Sequence, residues 1–245
     1  MKRFYLLSAL PPLRPTFDAE PPLTVSAFWQ KIQQEDRSLG ELVQAILLEK
    51  DIANLQEVCQ ERRPIEAGTI PLETLIRFPK DHAVVKPYLP EPIMSLLREE
   101  TWPSRIWKAY FQYAFSMAEK RGSRLSEWIE WDLTLKNVFQ DARSQRQTRR
   151  WATFSFAPTH EHERIVETYR KAQNPLEAEQ ALDRAKWEKI SSLCVPYSFQ
   201  TDEIMAYALH LLILQRWWII SRNKEEIIEK VMQSYPQRAL SSQEV

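Results

Sequence analysis

The sequence predicts an all-α fold, and three observations lead to that prediction. Only three of the 245 residues are glycine, too few for the tight turns that join many short β-strands. Apolar residues recur at spacings of three and four in several long segments, which is the periodicity of an amphipathic helix. Prolines, 16 in all, often stand between those segments, where they begin or end helices.

The first 25 residues predict an extended N-terminal arm followed by a stiff, proline-rich connection. Phe4 to Leu7 are apolar, and five prolines follow between residues 11 and 22. The apolar run resembles a signal peptide only faintly, because it is short and ends in prolines without a small-residue cleavage site. We therefore expect no secretion signal.

The next part of the chain is predicted to form three helices, over residues 25–34, 38–62 and 71–78. Ser38 and Glu41 have the spacing of a capping box at the start of the long second helix, and Pro64 ends that helix. Residues 79–92 contain four prolines and form the predicted linker. We accordingly divide the chain into an N-terminal arm with a first helical unit, 1–80, and a main helical bundle, 81–245.

The main bundle is predicted to contain short helical turns over 93–100 and longer helices over 104–122, 125–142, 175–191 and 201–222, with another starting after Thr159. Gly122 closes the first long helix, so that it and the next pack as an antiparallel hairpin. The tail from Pro236 is polar and expected to fray.

Composition and charge exclude several functional classes. Lysine plus arginine equals aspartate plus glutamate, 33 each, so no net field attracts nucleic acid. Phosphate cradles need clustered glycines, and the three glycines are far apart. Cys59 and Cys194 lack metal-ligand spacing and indicate a reduced cytosolic protein, with a single disulfide as the alternative. We expect no cofactor, no bound nucleotide and no metal.

Asp132 is the most informative single residue, because it lies on the apolar stripe of the predicted helix 125–142. A carboxylate there is costly unless it is paired or hydrogen-bonded. One interpretation is an intrahelical pair with Lys136 at the i,i+4 spacing. The other is a carboxylate kept for an inter-helix or partner contact. A catalytic pair with Glu130 is disfavoured, since residues two apart diverge around a helix.

A basic cluster follows this helix: Arg143, Arg146, Arg149 and Arg150, with Trp151 after them. Cations are favourable at a helix C-terminus, so a solvated helix end explains them. An acidic protein surface is a second interpretation. Single-stranded nucleic acid, held by phosphate contacts and stacking on the indole, is a third.

Two histidines close together, His160 and His162, could indicate a metal. Side chains two apart on a helix do not converge on one ion, and the sequence offers no third ligand. We therefore expect a solvated helix start.

Residues 204–220 form the most apolar stretch and read as a core helix, because polar residues interrupt it before it reaches the length of a membrane span. It ends in Trp217 and Trp218, which lie about 100° apart around a helix. One can belong to the core while Trp218 faces a partner; alternatively both are core residues.

Three segments resemble helices of the C subunit of archaeal and bacterial V-type ATPases. Glu49-Lys-Asp-Ile-Ala-Asn54-Leu55 is similar to that family's "D-I-x-N-L" signature. Glu130-Trp-Asp-Leu-Thr-Leu-Lys-Asn137-Val138 looks like a second version, in which Asp132 corresponds to Glu49. The segment from Asp202 to Ile213 resembles the family's closing "E-I-L-A-Y-L-L" helix.

The whole chain also resembles a smaller bacterial family of unassigned function associated with V-type ATPase genes. That family begins with "Y-Y-x-L-x-x-S-L-P-x-L", here Phe4 to Leu13, and carries a late "I-L-A-Y-x-x-K-L-x-I-x-x-R-W" helix, here Ile204 to Trp217.

These resemblances imply a bundle of related helix-hairpin units that acts as a non-catalytic, rotor-coupling subunit of a V-type ATPase. Its expected partners are the central-stalk subunits and the membrane rotor ring, and its expected location is the cytoplasmic side of the membrane, attached peripherally through the ring. The alternative is a nucleic-acid-binding or assembly adaptor that uses the Arg143–Trp151 cluster.

Overall fold

The computed structural model describes residues 2–16, 19–62, 64, 68–143 and 156–234, and within them the chain is helical and contains no strand. The prediction of an all-α fold is confirmed. The elements are α1 (Lys2–Ser8), α2 (Val25–Glu35), α3 (Arg37–Cys59), α4 (Leu72–Arg77), a 3-10 turn (His82–Val85), α5 (Glu91–Leu96), α6 (Trp102–Arg121), α7 (Leu125–Arg143), α8 (His160–Lys171), α9 (Pro175–Ser192) and α10 (Thr201–Ser234).

Helix α3 lies at the centre of the fold. It packs against α2, α4, α6 and α10, and 13 of its 23 residues are buried. A helix that is apolar on several faces must be surrounded by other elements to remove those faces from water. Its predicted stripe of Ala45, Leu48, Ile52 and Leu55 is fully buried, whereas Cys59 at its end is exposed.

The extended N-terminal arm is a wrong prediction, because residues 2–8 form helix α1. The prolines begin only at Pro11, so nothing prevents the preceding residues from forming two helical turns. Burial of Leu6 in the core, with Leu7 packed against it, stabilises the helix in contact with α2. The segment after it, as far as it is described, has no regular structure before α2.

The start of α3 also differs from its prediction. Asp36, rather than Ser38, caps the helix: its Oδ1 accepts hydrogen bonds from the backbone N–H of Ser38 at 2.9 Å and of Leu39 at 3.3 Å. The C-terminal prediction for α6 is confirmed, since Gly122 ends it in the left-handed conformation at φ 57°. Because Gly122 has no side chain to clash in this conformation, the chain turns there into α7, which packs against α6.

Residues 79–92 were predicted as a linker, but they carry core residues. Val85 and Leu89 are buried in the same apolar cluster as the residues of α3, and the side chain of Gln44 donates to the backbone carbonyl of Tyr88 at 2.8 Å. The apolar core is therefore continuous across residue 80.

Helix α10 supplies the most apolar wall of that core. Its residues Thr201–Arg222 are long and apolar enough to cross a membrane by length and composition; an 18-residue window within them has a mean hydropathy of 1.3, and 56% of that window is buried within the fold. The buried positions include Ile204, Leu211 and Trp217. This burial agrees with the prediction of a core helix.

A buried aspartate on α3 holds the loop that precedes α4. Asp51 accepts hydrogen bonds from the backbone N–H of Thr69 at 2.9 Å and of Ile70 at 3.1 Å, and from the Thr69 hydroxyl at 2.8 Å. Burial raises the pKa of Asp51 to about 6, although these hydrogen bonds oppose the rise. A Cβ atom on Gly68 would lie 1.9 Å from the Asp51 carboxylate, so this close approach requires glycine.

We predict that Gly68→Ala lowers the free energy of unfolding by about 1–3 kcal/mol, because the new methyl group overlaps Asp51. Chemical denaturation measures this. Gly122→Ala is the comparison variant: no atom lies within 4 Å of its added Cβ, so its cost comes from the left-handed backbone alone. Gly122→Asn should cost less than Gly122→Ala, since asparagine tolerates that conformation. A Gly68→Ala protein as stable as wild type would contradict the overlap.

Candidate functional site

Four charged side chains from three helices contact one another around the buried Asp132, and we call them the central charge network: Glu49, Asp132, Lys136 and Lys186. On α7, Asp132 Oδ2 lies 2.7 Å from Lys136 Nζ, and Asp132 Oδ1 lies 3.1 Å from Nζ of Lys186 on α9. Lys136 Nζ also lies 3.0 Å from Oε1 of Glu49 on α3. The network balances two carboxylates with two ammonium groups and joins α3, α7 and α9.

Asp132 makes both an intrahelical and an inter-helix contact, while its role in a partner contact stays a prediction. The i,i+4 pair with Lys136 is present, and so is the inter-helix contact, through Lys186. Asp132 is only 7% exposed, and these contacts lie within the chain. Glu130 is exposed on the other side of α7, so the two carboxylates do not form a pair.

The protonation states of the network follow from these contacts. Burial alone would raise the pKa of Asp132, but the ammonium groups of Lys136 and Lys186 outweigh burial and hold this pKa well below its usual value. Burial would likewise lower the pKa of Lys136, and the carboxylates of Asp132 and Glu49 raise it instead. Neither group is a proton donor or acceptor near neutral pH. Their arrangement provides a cross-link.

A small recess adjoins the network. It is lined by Ile46, Glu49, Tyr110, Phe111, Leu125, Trp128, Ile129, Asp132, Leu133, Lys136 and Leu209. Most of these side chains are apolar, and the two carboxylates among them are already bound to Lys136. Burial, together with the nearby carboxylates, raises the pKa of Tyr110 well above its usual value, so its hydroxyl stays protonated. In the described part of the chain, no three His, Cys, Asp or Glu side chains are grouped to hold a metal ion.

A second polar cluster ties α10 to α8 and α9. The guanidinium of Arg216 donates to Asp183 and, at 2.5 Å, to Glu179. The indole N–H of Trp217 donates to Asp183 at 2.8 Å, and the hydroxyl of Tyr169 donates to Glu179 at 2.9 Å. The most apolar helix is therefore fixed to its neighbours by directional hydrogen bonds as well as by packing.

The two adjacent tryptophans have different environments. Trp217 is 2% exposed and belongs to the core. Trp218 is half-buried, with the guanidinium of Arg222 over its ring at 4.5 Å from the centroid. Trp217 is thus a core residue and Trp218 is not fully buried, and the prediction that Trp218 faces a partner stays a prediction.

His160 and His162 also have different environments. His160 is exposed, as expected for a solvated helix start, but the same prediction is wrong for His162, which is 3% exposed. Nδ1 of His162 accepts from the backbone N–H of Thr159 at 3.2 Å, and Nε2 lies 3.1 Å from the Trp131 carbonyl, to which it donates. His162 thus completes the capping box of α8 and fastens it to α7.

The basic cluster lies largely outside the described residues. Arg143 ends α7, but its side chain is not among those described, and Arg146, Arg149, Arg150 and Trp151 fall in the undescribed stretch 144–155.

Sequence reasoning missed the partners that α9 supplies. Lys186 and Asp183 stand on a helix with many charged residues, so neither residue draws notice alone. No signal in the single sequence pointed to them, since their contacts depend on how α9 docks against α7 and α10.

The fold and these clusters define an all-helical protein with a cross-linked core. A family described as a protein of unknown function (DUF2764) matches residues 160–235. This match covers less than half of the chain, the part from α8 through α10. Neither the search of curated proteins nor the search of solved structures found a match.

We predict that Asp132→Asn lowers the free energy of unfolding by about 3–5 kcal/mol, because it leaves Lys136 and Lys186 without their shared carboxylate. Urea denaturation at neutral pH measures the change. Glu127→Gln is the matched control: its partner Arg124 is 2.7 Å away but both are exposed, so the cost should stay below about 1 kcal/mol. Equal effects of the two substitutions would contradict the central role of the network.

The same carboxylate predicts a pH dependence. The pKa of Asp132 is lower in the folded protein than in the unfolded chain, where it is about 3.9, so the ionised group stabilises the fold above about pH 4. That stabilisation is lost as the pH falls towards the folded pKa. The gap in unfolding free energy between wild type and Asp132→Asn should therefore narrow below about pH 4. A gap that stays constant from neutral pH downwards would show that Asp132 does not titrate in this way.

Proposed function

We propose that this chain is a non-catalytic rotor-coupling subunit of a V-type ATPase, which links the central stalk to the membrane rotor ring. The observation that carries the proposal is the central charge network, in which one lysine, Lys136, binds both Glu49 and Asp132. In the resemblance to the C subunit, these two carboxylates correspond to each other in two related helices.

The stiffness of the helical bundle is the first support for the proposal. A part that passes torque between neighbours must deform less than the contacts at its two ends. Ion pairs between α3, α7 and α9 resist sliding of these helices, because separating a buried pair leaves charges uncompensated. A second set of ion pairs, between Arg216 on α10 and Asp183 and Glu179 on α9, joins these two helices.

The character of the central recess is the second support. Its acids and bases are paired with one another and have pKa values far from neutrality, so it suits a structural role better than proton transfer. The similarity of three segments to helices of the C subunit, each now assigned to α3, α7 or α10, is the third support.

In this proposal, the partners are the central-stalk subunits and the rotor ring, and the protein lies on the cytoplasmic side of the membrane. ATP hydrolysis takes place in other subunits, and this chain transmits the resulting rotation without binding nucleotide. Trp218, a half-buried residue of α10, is the partner contact that we propose among the described side chains.

Purification of the tagged protein from its own cells under mild detergent tests the proposal, with mass spectrometry of what accompanies it. We expect stalk and ring subunits in stoichiometric amounts. Trp218→Ala should reduce their recovery about tenfold or more, as removal of an aromatic hot spot does. The control is Ile76→Ser, which changes a residue of α4 that is 61% exposed. It should leave recovery unchanged.

Recovery of the protein as a free monomer, with neither stalk nor ring subunits, would contradict the rotor role. Recovery with nucleic acid that is released steeply by salt would instead support the adaptor built on the Arg143–Trp151 cluster.

A further inference from the structure

Helix α9 carries three charged side chains that contact two different neighbouring helices. Glu179, Asp183 and Lys186 follow one another at spacings of four and three residues, so they lie on one face of α9. At one end of this row, Lys186 pairs with Asp132 of α7 at 3.1 Å. The other two side chains, Asp183 and Glu179, pair with Arg216 of α10. The central charge network and the ion pairs to α10 therefore meet on α9.

The row brings two buried carboxylates within reach of the same lysine. Asp132 is 7% exposed and Asp183 is 3% exposed, so each needs a cation nearby to offset the cost of its burial. Lys186 follows Asp183 by three residues, a spacing at which helical side chains are neighbours. Its ammonium group lies at Asp132 in the structure, but rotation of its flexible four-carbon chain brings the same ammonium group to Asp183.

Arg216 decides which of the two carboxylates needs Lys186. While the guanidinium of Arg216 binds Asp183, Lys186 is left for Asp132. If α10 moves and withdraws Arg216, Asp183 loses the cation that it binds in the structure, and Lys186 is its neighbour on the same helix. Asp132 keeps a cation after the transfer, because Lys136 Nζ lies 2.7 Å from its other oxygen. The transfer therefore leaves neither buried carboxylate without a cation.

The charge of Lys186 already acts on the ion pairs to α10. Burial would raise the pKa of Glu179, but hydrogen bonds from Arg216 and Tyr169 lower it, and the positive charge of Lys186 lowers it further. Lys186 thus interacts with carboxylates on both sides of its position: with Asp132 on α7 and with the acidic partners of Arg216.

We propose that Lys186 is an exchangeable link that couples the position of α10 to the central charge network. It binds Asp132 while Arg216 holds Asp183, and it moves to Asp183 when Arg216 is withdrawn. The contact of α9 with α7 then depends on the contact of α9 with α10, so displacement of α10 weakens the attachment of α9 to α7. This coupling does not depend on the rotor role, since any partner that displaces α10 would produce it.

A double-mutant cycle on the purified full-length protein, measured by urea denaturation, tests the exchange. The quantity to compare is the factor by which Asp132→Asn raises the unfolding equilibrium constant in the wild type and in Arg216→Met. In Arg216→Met, Lys186 has already moved to Asp183, so we expect this factor to be about tenfold smaller. When Lys186→Met is added to both backgrounds, no lysine can move, and the factor should be the same in both.

Glu127→Gln is the matched control, because it removes an exposed carboxylate of α7 that lies outside the central charge network. Its effect should be the same with and without Arg216→Met. A crystal structure of Arg216→Met alone provides a second test that needs no multiple variant. In that structure, Nζ of Lys186 should lie within about 4 Å of a carboxylate oxygen of Asp183.

Three results would overturn the proposal. The first is additivity of Asp132→Asn and Arg216→Met in the denaturation experiment. The second is a crystal structure of Arg216→Met in which Lys186 still binds Asp132. The third is equal non-additivity of Arg216→Met with the control Glu127→Gln, which would show a general loss of stability in place of a transfer of Lys186.

Discussion

The fold depends on the burial of one ionised carboxylate, Asp132. Removing this group from water costs several kcal/mol, and only nearby cations in good geometry offset the cost. Lys136 is one turn away on the same helix, but Lys186 reaches Asp132 only when α9 docks against α7. The contact is therefore a condition on the tertiary structure: the helices must pack in the one register that brings ammonium groups to this carboxylate.

A similar use of carboxylates recurs where the chain changes direction. Asp51 holds the loop at Thr69 and Ile70, Asp36 caps α3, and Glu203 holds the bend before α10. The chain has only three glycines, so several bends use ordinary residues, and a carboxylate satisfies the N–H groups that such bends leave without helical partners. Low glycine content thus accounts both for long stiff helices and for loops that are held by specific anchors.

The helices could be predicted from the sequence because their periodicity is local. The intrahelical pair of Asp132 with Lys136 could be predicted for the same reason. Lys186 could not, since its contact with Asp132 depends on how α9 docks, which a single sequence does not specify. The errors have local causes: the prolines after residue 10 were given too much weight over α1, and the Ser38 capping pattern concealed the stronger cap at Asp36. The burial of His162 depended on a carbonyl of α7, which is likewise a tertiary contact.

Ion pairs between helices and strained backbone lie in different parts of the molecule. Helices α3, α7, α9 and α10 are tied to one another by ion pairs that include the buried carboxylates Asp132 and Asp183, so relative motion among them leaves buried charge uncompensated. Among the described residues, the non-glycine residues with strained, left-handed backbone lie instead in loops: Glu61 after α3, and Tyr197 and Phe199 before α10. A catalytic site usually combines strain with titratable groups in a cleft. Here the charged groups of the central charge network are bound to one another and the strained backbone lies in loops. This arrangement supports the proposal of a rigid body that acts by contact with its neighbours.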